Sequence, residues 1–466
     1  MFTASRQIVY SAKKKGMFME KPIMSVSGIR GRIGEGLSLE LLRAVAYIQT
    51  KLAGGGKIII GRDTRPSGED VEKAVCQGIR AAGGTPVSIG IATTPTTSFA
   101  TKYFGANAGI IITASHNPHP YNGYKPVHAS GRLLNDSESS AIYKEYNAGS
   151  YLSDEEFAKF ENTPAKIETT AISAHCDAIL KSVNVDLIKN AKIKVAVDAI
   201  NGAASPAFPV LLEKLGVKWV GVNVKSDGDF VHNPEPRPQH LTELHDLLKS
   251  EKGFWAGFAF DPDGDRLVCM GERGEPICEE MTLALSMMSV LASKKTAVAT
   301  NLSTSMVIDD VAKNFGVEVI RTKIGEANVV DAIRENNLVL GGEGNGGVIF
   351  PEVSMVRDGL VGLALIIECM AKNAKKITQL TQAYKEYPIV KEKISINGLN
   401  PAEVLAKLTK IFAHEKIDTQ DGLKVIYRDG WVHIRPSNTE PIMRVYAEAI
   451  TQEKAEELAK MIMSKV

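Results

Sequence analysis

The chain has 466 residues, 44% hydrophobic and 23% charged, an ordinary globular balance that excludes general disorder. At about 150 residues per domain, this length corresponds to roughly three domains rather than one oversized core. Lys and Arg number 55 against 54 Asp and Glu, a net charge of +1, so no whole-chain field recruits nucleic acid or an acidic membrane surface.

Met1–Met19 carries Lys13, Lys14 and Lys15 but lacks the apolar stretch of a secretory signal. Its acid-poor, Arg- and Ser-containing composition is also readable as a transit peptide; the plainer reading is an extension, residues 1–20, ahead of a fold that starts near Lys21. Three segments then repeat one plan of strand, polar loop, helix, glycine stop and strand. They run from Lys57–Ile60 through helix Glu69–Ala82 to Thr85–Ile89, from Lys192–Val197 through Ala207–Leu215 to Val217–Val224, and from Thr296–Ala299 through Met306–Phe315 to Val317–Thr322. Strands separated by a helix predict parallel pairing, hence three tandem α/β units. In the tail, Tyr387–Ile396, Gly422–Tyr427, Trp431–Ile434 and Met443–Ala447 read as strands with short turns, closed by helix Gln452–Ser464, which predicts a smaller antiparallel α+β domain.

The longest apolar runs, Met281–Ala292 and Leu360–Ala371, are shorter than the ~20 residues of a membrane span. Cys76, Cys176, Cys269, Cys278 and Cys369 are odd in number and form no CxxC pair, so neither a disulfide framework nor a zinc site is expected, and the reduced cytosol is the natural setting.

In open α/β sheets ligands bind beyond the carboxyl ends of strands. Ala108–Ile112 runs into Thr113-Ala114-Ser115-His116-Asn117-Pro118, where a strand-tip serine offers a nucleophile; a plain Ser/Asn/Pro turn is the competing reading. Phe258–Phe260 runs into Asp261-Pro262-Asp263-Gly264-Asp265-Arg266. Three alternating carboxylates repel one another unless a cation lies between them, and hard oxygen ligands suit Mg²⁺ or Ca²⁺. An EF-hand is the obvious rival, but Arg266 stands where its glycine must be and strands flank the loop. Leu338–Leu340 is expected as a strand leading into the glycine loop Gly341–Gly347, where Glu343 and Asn345 offer partners for sugar hydroxyls. In the tail, Arg435-Pro436-Ser437-Asn438-Thr439-Glu440-Pro441, with Arg444 beyond, fits a phosphate dianion.

TASHNP (Thr113–Pro118), DPDGDR (Asp261–Arg266), GEGNGG (Gly342–Gly347) and RPSNTEP (Arg435–Pro441) occur in order, joined by SGIRG (Ser27–Gly31), GRDTR (Gly61–Arg65) and NGYK (Asn122–Lys125). From about Lys21 onward the chain therefore resembles the α-D-phosphohexomutase family. The resemblance implies an α/β protein of three tandem related domains with mixed sheets plus a smaller C-terminal α+β domain around a central cleft. The divisions would be 21–172, 173–276, 277–386 and 387–466. It implies a Mg²⁺-dependent exchange of phosphate between the 1- and 6-positions of a hexose through a hexose 1,6-bisphosphate. Ser115 would be the phosphoserine, its phosphate completing a metal site of Asp261, Asp263 and Asp265. Arg30, Arg266, His116 and the acid/base candidate Lys125 would complete the catalytic set. Lys323, Glu326, Glu343 and Asn345 would meet the sugar, and Arg435, Ser437, Asn438, Thr439 and Arg444 the distal phosphate. The partner would be a small sugar phosphate, with no nucleic acid and no membrane, and the chain a cytoplasmic monomer or homodimer.

Two departures bear on the sugar. Many mannose- or glucose-phosphate members carry GExSGH, whereas Asn345 and Gly347 replace that serine and histidine here; Glu326 stands where those members usually have histidine. Both resemble the phosphoglucosamine mutases, and a carboxylate at 326 would suit a 2-ammonium group. Two further readings stay open. DPDGD also resembles the core of aspartate-nucleophile phosphatases, with Asp261 as nucleophile, though TASHNP and RPSNTEP would then have no role. An inactive sugar-phosphate-binding protein would have lost the serine or an aspartate, and all four are present.

Overall fold

The computed structural model describes residues 21–396, 398, 400–437 and 442–466; the expected extension at 1–20, and Asn438 and Thr439 of the tail loop, lie outside them. Four sheets follow one another along the chain. The first contains β1 (Ile23–Ser25), β2 (Gly28–Arg32), β3 (Gly56–Arg62), β4 (Gly84–Ile91), β5 (Ala108–Ile112) and β6 (Tyr121–His128). The second contains β7 (Lys194–Asp198), β8 (Lys218–Val222), β9 (Ala256–Phe260) and β10 (Leu267–Met270). The third contains β11 (Val298–Asn301), β12 (Val319–Thr322), β13 (Gly341–Glu343) and β14 (Gly347–Ile349). The fourth contains β15 (Ile389–Ser395), β16 (Lys416–Asp418), β17 (Leu423–Tyr427), β18 (Gly430–Pro436) and β19 (Ile442–Ala449).

The first three sheets share one topology. In orders β4-β3-β5-β6, β8-β7-β9-β10 and β12-β11-β13-β14, three parallel strands are followed by one antiparallel edge, which β2 and β1 extend in the first sheet. The pattern repeat read from sequence is thus a structural repeat, and each copy ends in a hairpin. Those hairpins join β5 to β6, β9 to β10 and β13 to β14, so the serine, aspartate and glycine motifs occupy equivalent positions in three sheets. Helices Gly68–Ala81, Phe208–Lys214 and Val307–Phe315 fall where expected; the last is stopped by Gly316, whose φ of 68° is left-handed.

One strand lies further along than the sequence predicts. Leu338 and Leu340 are buried ahead of the sheet, and β13 is Gly341–Glu343, with Gly341 and Gly342 pairing with Ala299 and Thr300. Burial of the leucines produced the apolar run, while the paired residues are glycines; a Cβ on Gly341 would meet Ile333 Cδ1 at 2.7 Å and the Ala299 carbonyl at 2.8 Å. The tail sheet is antiparallel throughout, as expected, and gains two elements with weak patterns, β16 and helix Pro401–Ile411.

The second and third sheets share one continuous apolar core, in which helices Met281–Leu291 and Gly359–Asn373 are buried almost all round. These helices account for the two longest apolar runs, and among the described residues no helix is long and apolar enough to cross a membrane. The fourth sheet keeps a separate core and meets the third through polar contacts.

Candidate active site

The loop after β5 is built before any ligand arrives. Ser115 is buried with φ 52°, a left-handed conformation that costs a non-glycine residue about 1–3 kcal/mol and persists only when its surroundings impose it. Arg65 imposes it here. Its guanidinium bonds Asp63 at 2.9 Å and donates to the carbonyls of Ser115 and Asn117 at 2.6 Å and of Tyr121 at 2.9 Å. Thr113 donates to Asp63 at 2.6 Å and accepts from the Ser115 N–H at 2.9 Å. The buried Asp63–Arg65 pair is thus the frame of the serine loop, a role that the GRDTR motif alone did not reveal.

The hairpin between β9 and β10 is finished differently. Asp261, Asp263 and Asp265 are buried, and one oxygen from each lies within 4.8 Å of the others. Among the described residues, Asp261 Oδ2, Asp263 Oδ1 and Asp265 Oδ1 have no hydrogen-bond partner. Buried carboxylate oxygens are costly to leave unpaired, so this donor set fits a hard divalent cation. Burial, with Asp265 and Asp263 alongside, pushes the Asp261 carboxyl well above the usual range. Burial also acts against Asp265, but Arg357, Lys125 and Arg266 hold it below that range.

Cations from the first two domains converge on this triad. Lys125, on β6, is buried with its Nζ 2.7 Å from Asp263 and 3.5 Å from Asp265; burial opposes its charge, yet both aspartates hold its pKa above the usual value. Arg30, on β2, is in the field of the same two aspartates, and burial lowers its pKa. Arg266 bonds Asp261 through its backbone N–H at 3.2 Å. His116 lies 3.3 Å from the Ser115 hydroxyl; burial, then Arg266 and Arg30, push it down to about 3, so its imidazole is neutral at pH 7. The Thr94 N–H and hydroxyl also bind Asp263, at 2.8 and 2.7 Å. Serine loop, metal loop and the expected catalytic residues therefore meet in one place.

On the third domain Glu343 ends β13 and Asn345 turns the hairpin. Asn301 donates to Glu343 at 2.9 Å, and the Gly344 N–H donates to Thr304 at 3.2 Å. Glu326, expected to stand open to a sugar, instead has both oxygens taken by Arg357, from its backbone N–H at 2.8 Å and its Nε at 3.2 Å. The physical reason is charge: Arg357 is nearly buried and needs carboxylates. Besides Glu326 it bonds Glu343 at 3.0 Å and Asp265 at 2.7 Å. Arg357 was missed from sequence; its signal was a lone arginine in the apolar stretch Met355–Ala371, directly before the helix-capping Asp358. Lys323 is exposed at the end of β12, away from these bonds.

On the fourth domain Arg435 and Arg444 are cross-strand partners on β18 and β19. Two arginines side by side on one face fit the expected phosphate grip. Burial lowers the Arg435 pKa, while Asp421 and, more weakly, Glu343 of the third domain act against it. The Ser437 N–H bonds the Ile442 carbonyl at 2.9 Å.

A serine held in strained geometry beside His116, a buried acidic triad paired with Lys125, and an arginine pair on a fourth domain together define a phosphoryl-transfer enzyme acting on a small phosphorylated molecule. The chain belongs to the phosphoglucomutase/phosphomannomutase family. Its α/β/α domain I matches residues 21–152, domain II 173–274, domain III 279–387 and the C-terminal domain 370–465. A Thermococcus kodakarensis protein called phosphoglucomutase/phosphomannomutase is 38% identical, covering 93% of this chain and 96% of its own. A Methanopyrus kandleri protein called probable phosphoglucosamine mutase is 35% identical over 93% and 95%. The crystal structure of a phosphoglucomutase/phosphomannomutase family protein from Burkholderia thailandensis superposes with TM-score 0.81 at 27% identity, covering 95% of this chain and 97% of that one.

Proposed function

We propose that this chain interconverts hexose 6-phosphate and hexose 1-phosphate through a phosphoserine, with glucosamine phosphate preferred and glucose phosphate secondary. The observation that carries the reading is Ser115, buried at φ 52° on a loop that Arg65 holds in place, with the triad's partner Lys125 on the following strand. Ser115 Oγ rests phosphorylated. Its P–O bond breaks as a bond forms to the O1 or O6 hydroxyl of the bound monophosphate; protonated Lys125, the acid/base candidate, gives a proton to the departing Ser115 Oγ and recovers one from the attacking hydroxyl. The hexose 1,6-bisphosphate turns over, and its other phosphoryl group moves to Ser115, releasing the isomer and regenerating the phosphoserine. No nucleotide is consumed, and added bisphosphate acts as an activator.

Asp261, Asp263 and Asp265 would hold Mg²⁺ together with the Ser115 phosphate. When bound, the ion supplies charge neutralisation to the phosphoryl group in transfer. Arg30 and Arg266 stabilise that group, and neutral His116 hydrogen-bonds the serine oxygen. Lys323, Glu326, Glu343 and Asn345 make the sugar side of the pocket. Arg435, Ser437, Asn438, Thr439 and Arg444 grip the non-reacting phosphate, and a fixed grip there serves both orientations of the bisphosphate. The glucosamine preference is supported by the histidine-free loop and by relatives called probable phosphoglucosamine mutase at 31–35% identity; one at 38% is called phosphoglucomutase/phosphomannomutase. The phosphatase and inactive-binder alternatives are not favoured, since mutase-family relatives span the chain. We place the chain in the cytoplasm as a monomer or homodimer, divided after residues 172, 276 and 386.

The test is a mutase assay on glucosamine, glucose and mannose phosphates with the matching bisphosphate, alongside intact mass. A partial species heavier by about 80 Da, the mass of one phosphoryl group, is expected and should vanish in Ser115→Ala. Preference for mannose phosphate would overturn the sugar, and no turnover on any of the three would overturn the reaction.

A further inference from the structure

Arg357 is bonded to three carboxylates from three different elements. Nη2 meets Asp265 of the metal loop, Nη1 meets Glu343 of the sugar loop, and Nε with the backbone N–H meets Glu326 at the head of helix Glu326–Glu335. A planar guanidinium fork presents its donors in fixed directions, so bonds to three carboxylates set where those carboxylates stand relative to one another. Arg357 is only 8% exposed, and a buried cation with three anionic partners has no cheaper arrangement to relax into.

A second, independent observation concerns the space that Arg357 fills. A Cβ built on Gly347 would lie 2.2 Å from Arg357 Cδ and 2.8 Å from its Cγ. Residue 347 is where this chain departs from the GExSGH pattern, and the missing side chain is the room in which the arginine stem lies. Glycine at 347 and arginine at 357 therefore belong together.

We propose that Arg357 is the positioning residue of the sugar pocket: seated in the space left by Gly347 and anchored by Glu326, it holds Glu343 and Asp265 and so ties the sugar loop to the metal loop. This inference rests on the mutase reading above. It makes Glu326 act on the sugar through Arg357 rather than by direct contact.

The experiment is a double-mutant cycle of Glu326→Gln and Arg357→Ala, with kcat and KM measured on glucosamine 1-phosphate and glucose 1-phosphate. Glu326→Gln alone should lower kcat/KM on both sugars by the same factor, about three- to tenfold, and should cost nothing more in the Arg357→Ala background. A tenfold or greater loss confined to the amino sugar, persisting when Arg357 is absent, would show that Glu326 reads the sugar itself and overturn the proposal. Gly347→Ala supplies the steric arm: it should reproduce the Arg357→Ala defect in the wild-type background and be tolerated in Arg357→Ala, and equal costs in both would overturn the packing link. Calorimetry with Mg²⁺ alone and Ca²⁺ alone needs no turnover. Arg357→Ala should shift the affinity ratio severalfold toward Ca²⁺, which tolerates looser geometry; an unchanged ratio would remove the tie to the metal loop. Should Arg357→Ala not fold, Glu326→Gln and Gly347→Ala carry the same kinetic and calorimetric comparisons. A wild type inactive on every sugar phosphate would defeat the mutase reading and leave the metal-ratio measurement to decide this one.

Discussion

The hairpins after β5 and β9 occupy the same place in two related sheets and are finished in opposite ways. In the first, Arg65 and Thr113 satisfy the turn's backbone from within the protein, so the serine is held before substrate arrives. In the second, three buried carboxylate oxygens are left without partners among the described residues. One fold position thus serves two chemistries: a nucleophile needs its geometry complete, whereas a cation site needs valences left open.

The largest effect should come from the closed loop. Ser115→Ala is expected to lower kcat by at least about a thousandfold while leaving the melting temperature nearly unchanged, as activity and thermal scans would show. A large loss of stability would mean that the serine, not its frame, holds the turn.

The open loop should respond to cation. Mg²⁺ at a hundred times its Kd should stabilise the wild type by about 2.7 kcal/mol, read as a rise in the melting temperature. Asp263→Asn should abolish that rise and cut kcat by roughly a hundredfold. Full turnover in excess chelator would erase the distinction between the two loops.

Breaking the frame directly is the sharper test. Arg65→Met leaves Asp63 buried and unpaired and should cost about 3–5 kcal/mol in urea denaturation, with Mg²⁺ stabilisation retained. Loss of metal binding in that variant would show that the two loops are not independently built.

A pH-dependent effect concerns the seam of the third and fourth domains, where His433 bonds Ser303 at 2.8 Å and burial lowers its pKa to about 4. An unfolded histidine titrates near 6.5, so between about pH 6.5 and 4 the unfolded chain binds a proton that the folded chain refuses. Stability should fall as pH drops through that window, by at most about 3 kcal/mol. Denaturation curves of wild type and His433→Gln should converge at low pH.

The three-unit plan was legible because strand, helix and glycine stop are local signals, and the motifs were legible because each is one contiguous stretch of sequence. Arg65 was visible as part of a motif but its work was not, since the loop carbonyls it holds lie 50 or more residues away. Arg357 was missed for the same reason: Asp265 is 92 residues distant in sequence, and nothing local says which carboxylates a lone arginine will meet. Glu326 was misjudged through that omission, because a carboxylate appears available until its cation is found. The misplaced strand before Glu343 shows the limit of hydropathy, which reports burial and not pairing.

The aspartate loop is braced from both sides of the chain, by Thr94 before it and by Arg357 and the Gly359 N–H, which bonds the Gly264 carbonyl at 3.1 Å, after it. A nascent chain that has just emerged to Arg266 carries all three carboxylates but half of their bracing. At ~5–20 residues per second, roughly 5–20 s of further synthesis separates Arg266 from Gly359. During translation the ligand set exists before its scaffold, so tight cation capture is a late event in biogenesis, and a ribosome-arrested fragment ending near residue 300 should bind the ion more weakly than the finished chain.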